Sequence, residues 1–516
     1  MPYLIHHFLE ASADSHPSKH AVVHGENRCT YLEIERRSNK IANWLIENGT
    51  RKGDRIAVLL RNSVEYICCY YAVLKAGGVI VPLNTGLAAT DLGAMISDCT
   101  PRVLITEKVF LPIIENVAAG SSVTFTTVLS DCSSETPISP HGLSPVFCSE
   151  IYRMSRIDRP DSRLIDQDLA MIIYSSGSTG TPKGVTLSHL NVVSNTKSIT
   201  SYLPIQSDDR CMVVLPFYYV YGKSLLNTHF SCSSTIVIDN RFAFPNAVIK
   251  TMIDEKITNF SGVPSTYSIL LDRTEFATMP FPTLRFFTQA GGHLSSKYRG
   301  KLMAAFPDKD LFIMYGATEA SARLAYLDPK EIGRRSNSCG RAIPNVEMKV
   351  VTESGESAGP GQPGEILARG SNVMLGYWNS PEETSRVLRN GWYYTGDLGF
   401  QDEDGFFYLT GRKRDMIKVG AFKVSAFEVE QVLNRCHGVQ EAAVVAGPDD
   451  TLGENVRAFV VRDLQANVSS DEILQYCSDF LPKYKVPASI EFLGDMPRNE
   501  AGKVLKHKLP KMFSFD

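Results

Sequence analysis

What the 516-residue sequence lacks narrows its class first. No apolar run approaches the roughly 18 residues that a bilayer-spanning helix requires, so no membrane association is expected. The stretch Met1-Pro-Tyr-Leu-Ile-His-His7 has no basic segment followed by a long apolar core, so no signal peptide is expected and the cytoplasm is the expected location. Neither sign of charge dominates. The 53 Lys and Arg stand against 56 Asp and Glu, giving a formal net charge of −3 and a pI near 6.4. That balance gives no reason to expect nucleic acid or a membrane surface as partner. The 11 cysteines include no C-x-x-C pair, and the close pair Cys68-Cys69 is adjacent. They read as reduced, buried thiols, not as a disulfide framework or zinc site. No internal repeat is visible. What is present, 43% hydrophobic and 21% charged residues, suits a globular chain of more than one domain.

The stretch Tyr174-Ser-Ser-Gly-Ser-Thr-Gly-Thr-Pro-Lys-Gly184 organises the rest. The apolar run before it predicts a buried strand and 187–200 predicts a helix. Between them glycines let a backbone approach a polyanion, hydroxyls and amides donate to phosphate oxygens, and Lys183 adds a positive charge. It is not a Walker-type loop, which needs Gly-x4-Gly-Lys-Ser/Thr opening into a helix; here Pro182 and Gly184 flank the lysine.

Elsewhere strands alternate with helical stretches, at 31–48, 55–60, 64–75, 79–83 and 101–106, and again from 210 to 314. This predicts an α/β fold with parallel, helix-flanked sheets. The Ser-, Pro- and Asp-rich text at 127–163 reads as a long surface connection. Several later strands end in small or polar residues, at Ala290-Gly-Gly292 and Tyr315-Gly-Ala-Thr-Glu319, which is where open α/β sheets bind ligands. The expected organisation is a large domain at 1–411 with a β subdomain at about 339–411, followed past Arg412 by a separate small α+β domain reaching to 516.

Five motifs, in order, carry a resemblance. They are the 174–184 stretch, Tyr315-Gly-Ala-Thr-Glu319, Gly391-Trp-Tyr-Tyr-Thr-Gly-Asp397, Gly411-Arg-Lys-Arg-Asp-Met-Ile-Lys418 and Pro497-Arg-Asn-Glu-Ala-Gly-Lys503. Over about 31–509 the chain resembles the adenylate-forming superfamily of acyl-CoA synthetases, peptide-synthetase adenylation domains and luciferases. The resemblance implies an ATP- and Mg²⁺-dependent ligase that makes acyl-AMP and then passes the acyl group on. It implies that Ser175, Ser178, Thr179 and Lys183 bind the β and γ phosphates. Tyr315 would stack on adenine, with Gly291, Gly292 and Gly316 close to base and acyl group. Thr318 would bond the α phosphate, Glu319 would hold Mg²⁺, and Asp397 and Arg412 would hold the ribose. Lys503 would bridge the substrate carboxylate and α phosphate, and Arg414 would be the hinge pivot.

The same resemblance puts Tyr219, Tyr221, Gly222 and Val263 in the acid pocket. No aspartate lies in Phe217-Tyr-Tyr-Val-Tyr221 to grip an α-amino group, so an amine-free acid is expected. The aromatic side chains suggest a compact cyclic or aromatic acid, with core packing of the rings as the competing reading. CoA is the expected acceptor. Ala421, where the family usually has glycine, keeps an amino acid acceptor open, as in the amide-forming branch of coronafacic acid ligases. A catalytically silent nucleotide-binding protein and an oxidative, luciferase-like second step are the remaining alternatives.

Overall fold

The computed structural model describes residues 2–119, 123–130, 146–154, 156–175, 182–449, 451–463, 466, 468–498, 502 and 504–510. Among these, two sheets with parallel centres form the bulk of the chain. The first runs Gly376–Tyr377, Lys183–Ser188, Leu169–Ser175, Val79–Pro82, Arg55–Leu59, Val103–Thr106, Thr126–Leu129, Val146–Phe147. From Leu169–Ser175 onward its neighbours are parallel. The second runs from Arg341–Ala342 through Asp310–Tyr315, Phe286–Gln289, Asn259–Gly262, Arg210–Val213 and Thr235–Ile238 to His20–His24 and Asn27–Thr30. The expected helix-flanked parallel core is present, and antiparallel strands close its edges.

Local sequence explains the elements that hold these sheets together. Ser63 caps the helix Val64–Lys75 by accepting from the Tyr66 amide, and every residue of that helix except Glu65 is buried. Such a helix belongs between layers rather than on a surface. Thr30 and Glu33 form a reciprocal capping box at the start of Tyr31–Glu47. Every described cysteine is unpaired, and all but Cys232 are buried.

Two expectations need correction. Part of 127–163 is structured. Val146–Phe147 pairs parallel to Thr126–Leu129, and the helix Cys148–Met154 buries Cys148 and Ile151. The apolar pieces there are only a few residues long, too short to show in Ser- and Pro-rich text. Residues 131–145 lie outside the described residues. Second, Lys183 opens a strand, not a helix-bound loop. Lys183–Ser188 pairs antiparallel with Leu169–Ser175, and the helix His189–Tyr202 starts only after its Ser188 cap.

A third, antiparallel sheet holds Val346–Val351, Gly364–Gly370, Trp392–Gln401, Leu388–Arg389 and Phe407–Arg412. The last part of the chain builds a fourth sheet from Met416–Val419, Phe422–Ser425, Val439–Asp449, Gly453–Arg462 and Ser489–Leu493. Helices Ala426–Leu433 and Ser470–Phe480 cover it, and its buried core contains no residue from before Ile417. The large and small parts expected from the sequence are both present. Among the described residues no helix is long and apolar enough to cross a membrane.

One buried cation tests the core directly. Lys223, on the helix Val220–Ser231, is 1% exposed and donates to the Tyr66 hydroxyl at 2.6 Å, with the Tyr66 and Tyr70 rings within 5.1 Å. Burial lowers its ammonium from 10.5 to about 7. The unfolded chain therefore binds this proton more tightly, and stability contributed by Lys223 rises with pH between about 7 and 10.5. Below about pH 7 the folded state carries the whole desolvation cost. Lys223→Met should raise stability near pH 6, by an amount on the order of 4 kcal/mol at most, and flatten the rise above pH 7. Denaturant midpoints against pH test this, and an unchanged slope in the variant would refute it.

Candidate active site

The site forms where the first three sheets meet. Ser175 and Lys183 face each other at the loop end of the hairpin formed by Leu169–Ser175 and Lys183–Ser188, and the Ser175 hydroxyl reaches the Lys183 carbonyl at 3.5 Å. Ser178 and Thr179, between them in sequence, lie outside the described residues. Lys183 forms an ion pair with Glu383, and its ammonium stands 5.3 Å from the centre of the Tyr377 ring. Tyr377 arrives because Gly376–Tyr377 pairs with Lys183–Ser188, putting Tyr377 opposite Val185. Its hydroxyl donates to Glu319 Oε1 at 2.9 Å. Burial first, then the Glu319 charge, raises the Tyr377 phenol, so it stays a proton donor. Tyr377 and Glu383 were missed in the sequence, where nothing connects them to a lysine nearly two hundred positions earlier.

Glu319 and Thr318 share the short turn Thr318–Ala320 that follows the strand Asp310–Tyr315. Among the described residues no cation pairs with Glu319, and the Thr318 hydroxyl has no hydrogen-bond partner. A carboxylate held by a neutral phenol keeps its charge available, and hard oxygen is what Mg²⁺ prefers. The fit to that ion is therefore good. Gly316 is required by packing: a Cβ there would lie 1.8 Å from the Ala322 carbonyl oxygen.

The predicted ribose pair is assembled. Asp397 and Arg412 are cross-strand partners, with Arg412 Nε 2.8 Å from Asp397 Oδ1. The buried Tyr315 hydroxyl donates to Asp397 Oδ2 at 2.6 Å. A carboxylate offers about four lone-pair positions, so Asp397 retains acceptors for two further hydroxyls. Tyr315 thus orients Asp397 from the second sheet.

Of the residues expected to line the acid pocket, Tyr221 meets the strand Phe286–Gln289. Tyr221 donates to the Thr288 carbonyl at 3.1 Å and shares a 2.9 Å hydrogen bond with the Thr288 hydroxyl. Tyr219 is half-buried, 3.4 Å from the Asn84 amide nitrogen and 4.7 Å ring to ring from Tyr218. Gly291 has φ +83°, and a Cβ there would approach Val263 to 3.0 Å; at Gly292 it would meet Pro264 at 3.2 Å. Gly222 is demanded by the Pro216 carbonyl oxygen, 2.2 Å from any Cβ.

Lys503 lies outside the described residues, but its neighbour Gly502 packs on this pocket. Ser265 Oγ donates to the Gly502 carbonyl at 3.4 Å, and a Cβ at Gly502 would fall 2.2 Å from Ser265 Oγ and 3.0 Å from Val263. Arg414 is half-exposed and reaches only as far as its neighbour Asp415, at 3.4 Å.

A family model described as "AMP-binding enzyme" matches residues 9–378, and one described as "AMP-binding enzyme C-terminal domain" matches 428–503. The chain belongs to the AMP-binding enzyme family. Its similarity extends over nearly its whole length to a feruloyl-CoA synthase from Amycolatopsis sp, 31% identical with 96% of each chain covered. It is 30% identical to a long-chain-fatty-acid–CoA ligase of Bacillus subtilis (strain 168), covering 97% of this chain and 93% of the other. Among solved structures, the anthranilate CoA ligase AuaEII in complex with anthranoyl-AMP superposes with a TM-score of 0.90 at 26% identity, covering 99% and 98% of the two chains. The o-succinylbenzoate CoA synthetase from Bacillus subtilis with its acyl-adenylate gives 0.84 at 27% identity, with 97% of each covered. The resemblance to adenylate-forming ligases is borne out.

For Lys183 to serve a phosphate, as the resemblance implies, its ion pair with Glu383 must first yield. Glu383→Gln should therefore lower the KM for ATP by about two- to fivefold, the range an exposed ion pair allows. Initial rates of pyrophosphate release against ATP concentration check this; an unchanged or higher KM would count against the competition.

Proposed function

We propose that this enzyme is an ATP-dependent carboxylic acid–CoA ligase, with a compact cyclic or aromatic acid as substrate. A carboxylate oxygen attacks the α phosphorus of ATP, the bond to pyrophosphate breaks, and acyl-AMP remains. The CoA thiolate then attacks the acyl carbon and AMP leaves. The observation that supports this most strongly is the seat of Gly502, the residue before Lys503 in sequence, on Val263 and Ser265. An ammonium there would lower the repulsion between the two anions that must meet in line.

The remaining roles are those that the family resemblance implies. Lys183, with Ser175, Ser178 and Thr179, holds the terminal phosphates; Thr318 bonds the α phosphate; Asp397 and Arg412 hold the ribose. Glu319 would hold Mg²⁺, which supplies neutralising charge to the triphosphate. The lid at 416–516 turns on Arg414, within 412–415, relative to the large domain at 1–411. An exposed, locally paired side chain opposes such a rotation little.

CoA is favoured as acceptor because the similar proteins named above are CoA ligases or synthases. The case for an amino acid acceptor rested on Ala421. That residue is exposed in the turn between Met416–Val419 and Phe422–Ser425, so its methyl gives no steric argument against CoA in this arrangement. An aromatic acid suits the tyrosine-rich stretch 217–221, where the Tyr218 and Tyr219 rings lie 4.7 Å apart and the Tyr221 hydroxyl is held on Thr288. Incubation with ATP, an acid panel and either CoA or amino acids separates the readings: amide without thioester would overturn the CoA assignment. Lys503→Ala should slow acid-dependent pyrophosphate release by at least about 100-fold, roughly 2.7 kcal/mol, while sparing thioester formation from supplied acyl-AMP. Near-normal pyrophosphate release by that variant would remove Lys503 from the mechanism.

A further inference from the structure

Arg323, just past the Thr318–Ala320 turn, is 3% exposed. A guanidinium keeps its charge at any working pH and offers five N–H donors in a fork that suits a carboxylate. The partners it has here are all neutral. Nε donates to the Met314 thioether sulfur at 3.2 Å, one terminal nitrogen donates to the adjacent Ala322 carbonyl at 3.2 Å, the Tyr202 phenol lies within hydrogen-bond reach, and the Tyr221 ring centre lies 4.2 Å from Cζ. Among the described residues no carboxylate lies within ion-pair distance. Lys75 shows the usual solution for a buried cation: it is 1% exposed and meets Glu10 at 2.8 Å and Glu35 at 2.9 Å. A ring face and a sulfur offset only part of the cost of desolvating a cation.

Tyr221 ties this charge to the acid pocket. One face of its ring carries the guanidinium, while its hydroxyl is fixed on Thr288, two residues before Ala290-Gly291-Gly292. The Arg323 backbone is fixed as well, since the Asn195 and Asn372 side chains both donate to its carbonyl, at 3.0 and 2.9 Å. Lys223 does not serve the same purpose. Two residues from Tyr221 on one helix, it points to nearly the opposite side, already bonds Tyr66, and can shed its proton near pH 7.

We propose that Arg323 is a specificity-determining residue whose guanidinium receives a second carboxylate of the acid substrate, so that the enzyme activates one end of a dicarboxylic acid while holding the other. This rests on the acid-activating reading above and names its substrate class. A site that buries donors for a substrate group rejects analogues lacking that group strongly, because the donors are then left unmatched.

The test is acid-dependent pyrophosphate release with matched pairs: phthalate, isophthalate and terephthalate against benzoate, homophthalate against phenylacetate, and glutarate and adipate against valerate and caproate. The wild type should favour at least one diacid over its monoacid by about 100-fold or more in kcat/KM. Arg323→Met should collapse that ratio to within about threefold, chiefly through a higher KM for the diacid, with monoacid turnover unchanged. Arg323→Lys, which keeps a charge but loses the fork, should reduce the ratio at least about tenfold and decides the matter if the methionine variant does not fold. A role confined to packing would change thermal stability and leave the ratio untouched. Equal use of diacids and monoacids by the wild type, or a ratio that survives substitution, overturns the inference while leaving acid activation standing. No pyrophosphate release with any acid removes both.

Discussion

The hydrogen bond from Tyr377 to Glu319 holds the catalytic cleft together. Glu319 belongs to the turn after a strand of the nine-stranded sheet; Tyr377 belongs to a two-residue strand that the chain lays on the edge of the other large sheet. The backbone joins the same elements, with the Met374 amide donating to the Glu319 carbonyl at 2.8 Å and the Leu375 amide to the Thr186 carbonyl at 3.0 Å. The Tyr315 hydroxyl on Asp397 makes the second stitch, from the nine-stranded sheet to the antiparallel one. Both phenols are raised by burial and by the carboxylate each meets, so both remain donors at any pH where the protein works. A nucleotide entering this cleft meets acceptors and cations whose positions are already set, which is the preorganisation that electrostatic catalysis needs.

Charge compensation separates structural cations from functional ones in this chain. Lys75 is enclosed by Glu10 and Glu35, and Arg159 joins the same cluster through Glu35 and Asp14. That network explains itself as structure. Lys183 is paired with Glu383 only until a stronger anion arrives, and Arg412 shares Asp397 while remaining 42% exposed on its side chain. Lys223 escapes the problem by titrating, which arginine cannot do. Arg323 follows none of these routes, since its partners among the described residues are all neutral.

Much of the site was legible in the sequence because its residues sit in short, dense motifs. Asp397 and Arg412 were named apart and meet as cross-strand partners; the parallel sheets followed from alternating helices and strands. What escaped depended on long-range pairing. Gly376–Tyr377 has two residues and no period, so neither its strand character nor its destination beside Lys183 could be read. The short strand Val146–Phe147 failed for the same reason. The helix expected from 187 began later because Val185 and Leu187 alternate with polar neighbours in a strand. Arg323 stood four residues past Glu319 in plain view, yet sequence carries no measure of burial, and its burial against the Tyr221 ring is visible only in the fold.

The glycine at 502 shows how one contact links the small part of the chain to chemistry in the large part. Its φ of +76° and the 2.2 Å that would separate a Cβ from Ser265 leave room for no side chain. Arg498 also donates to the Gly502 carbonyl, at 2.9 Å, and pairs with Glu441 on the fourth sheet. The turn is therefore anchored to its own sheet while resting on Val263 and Ser265.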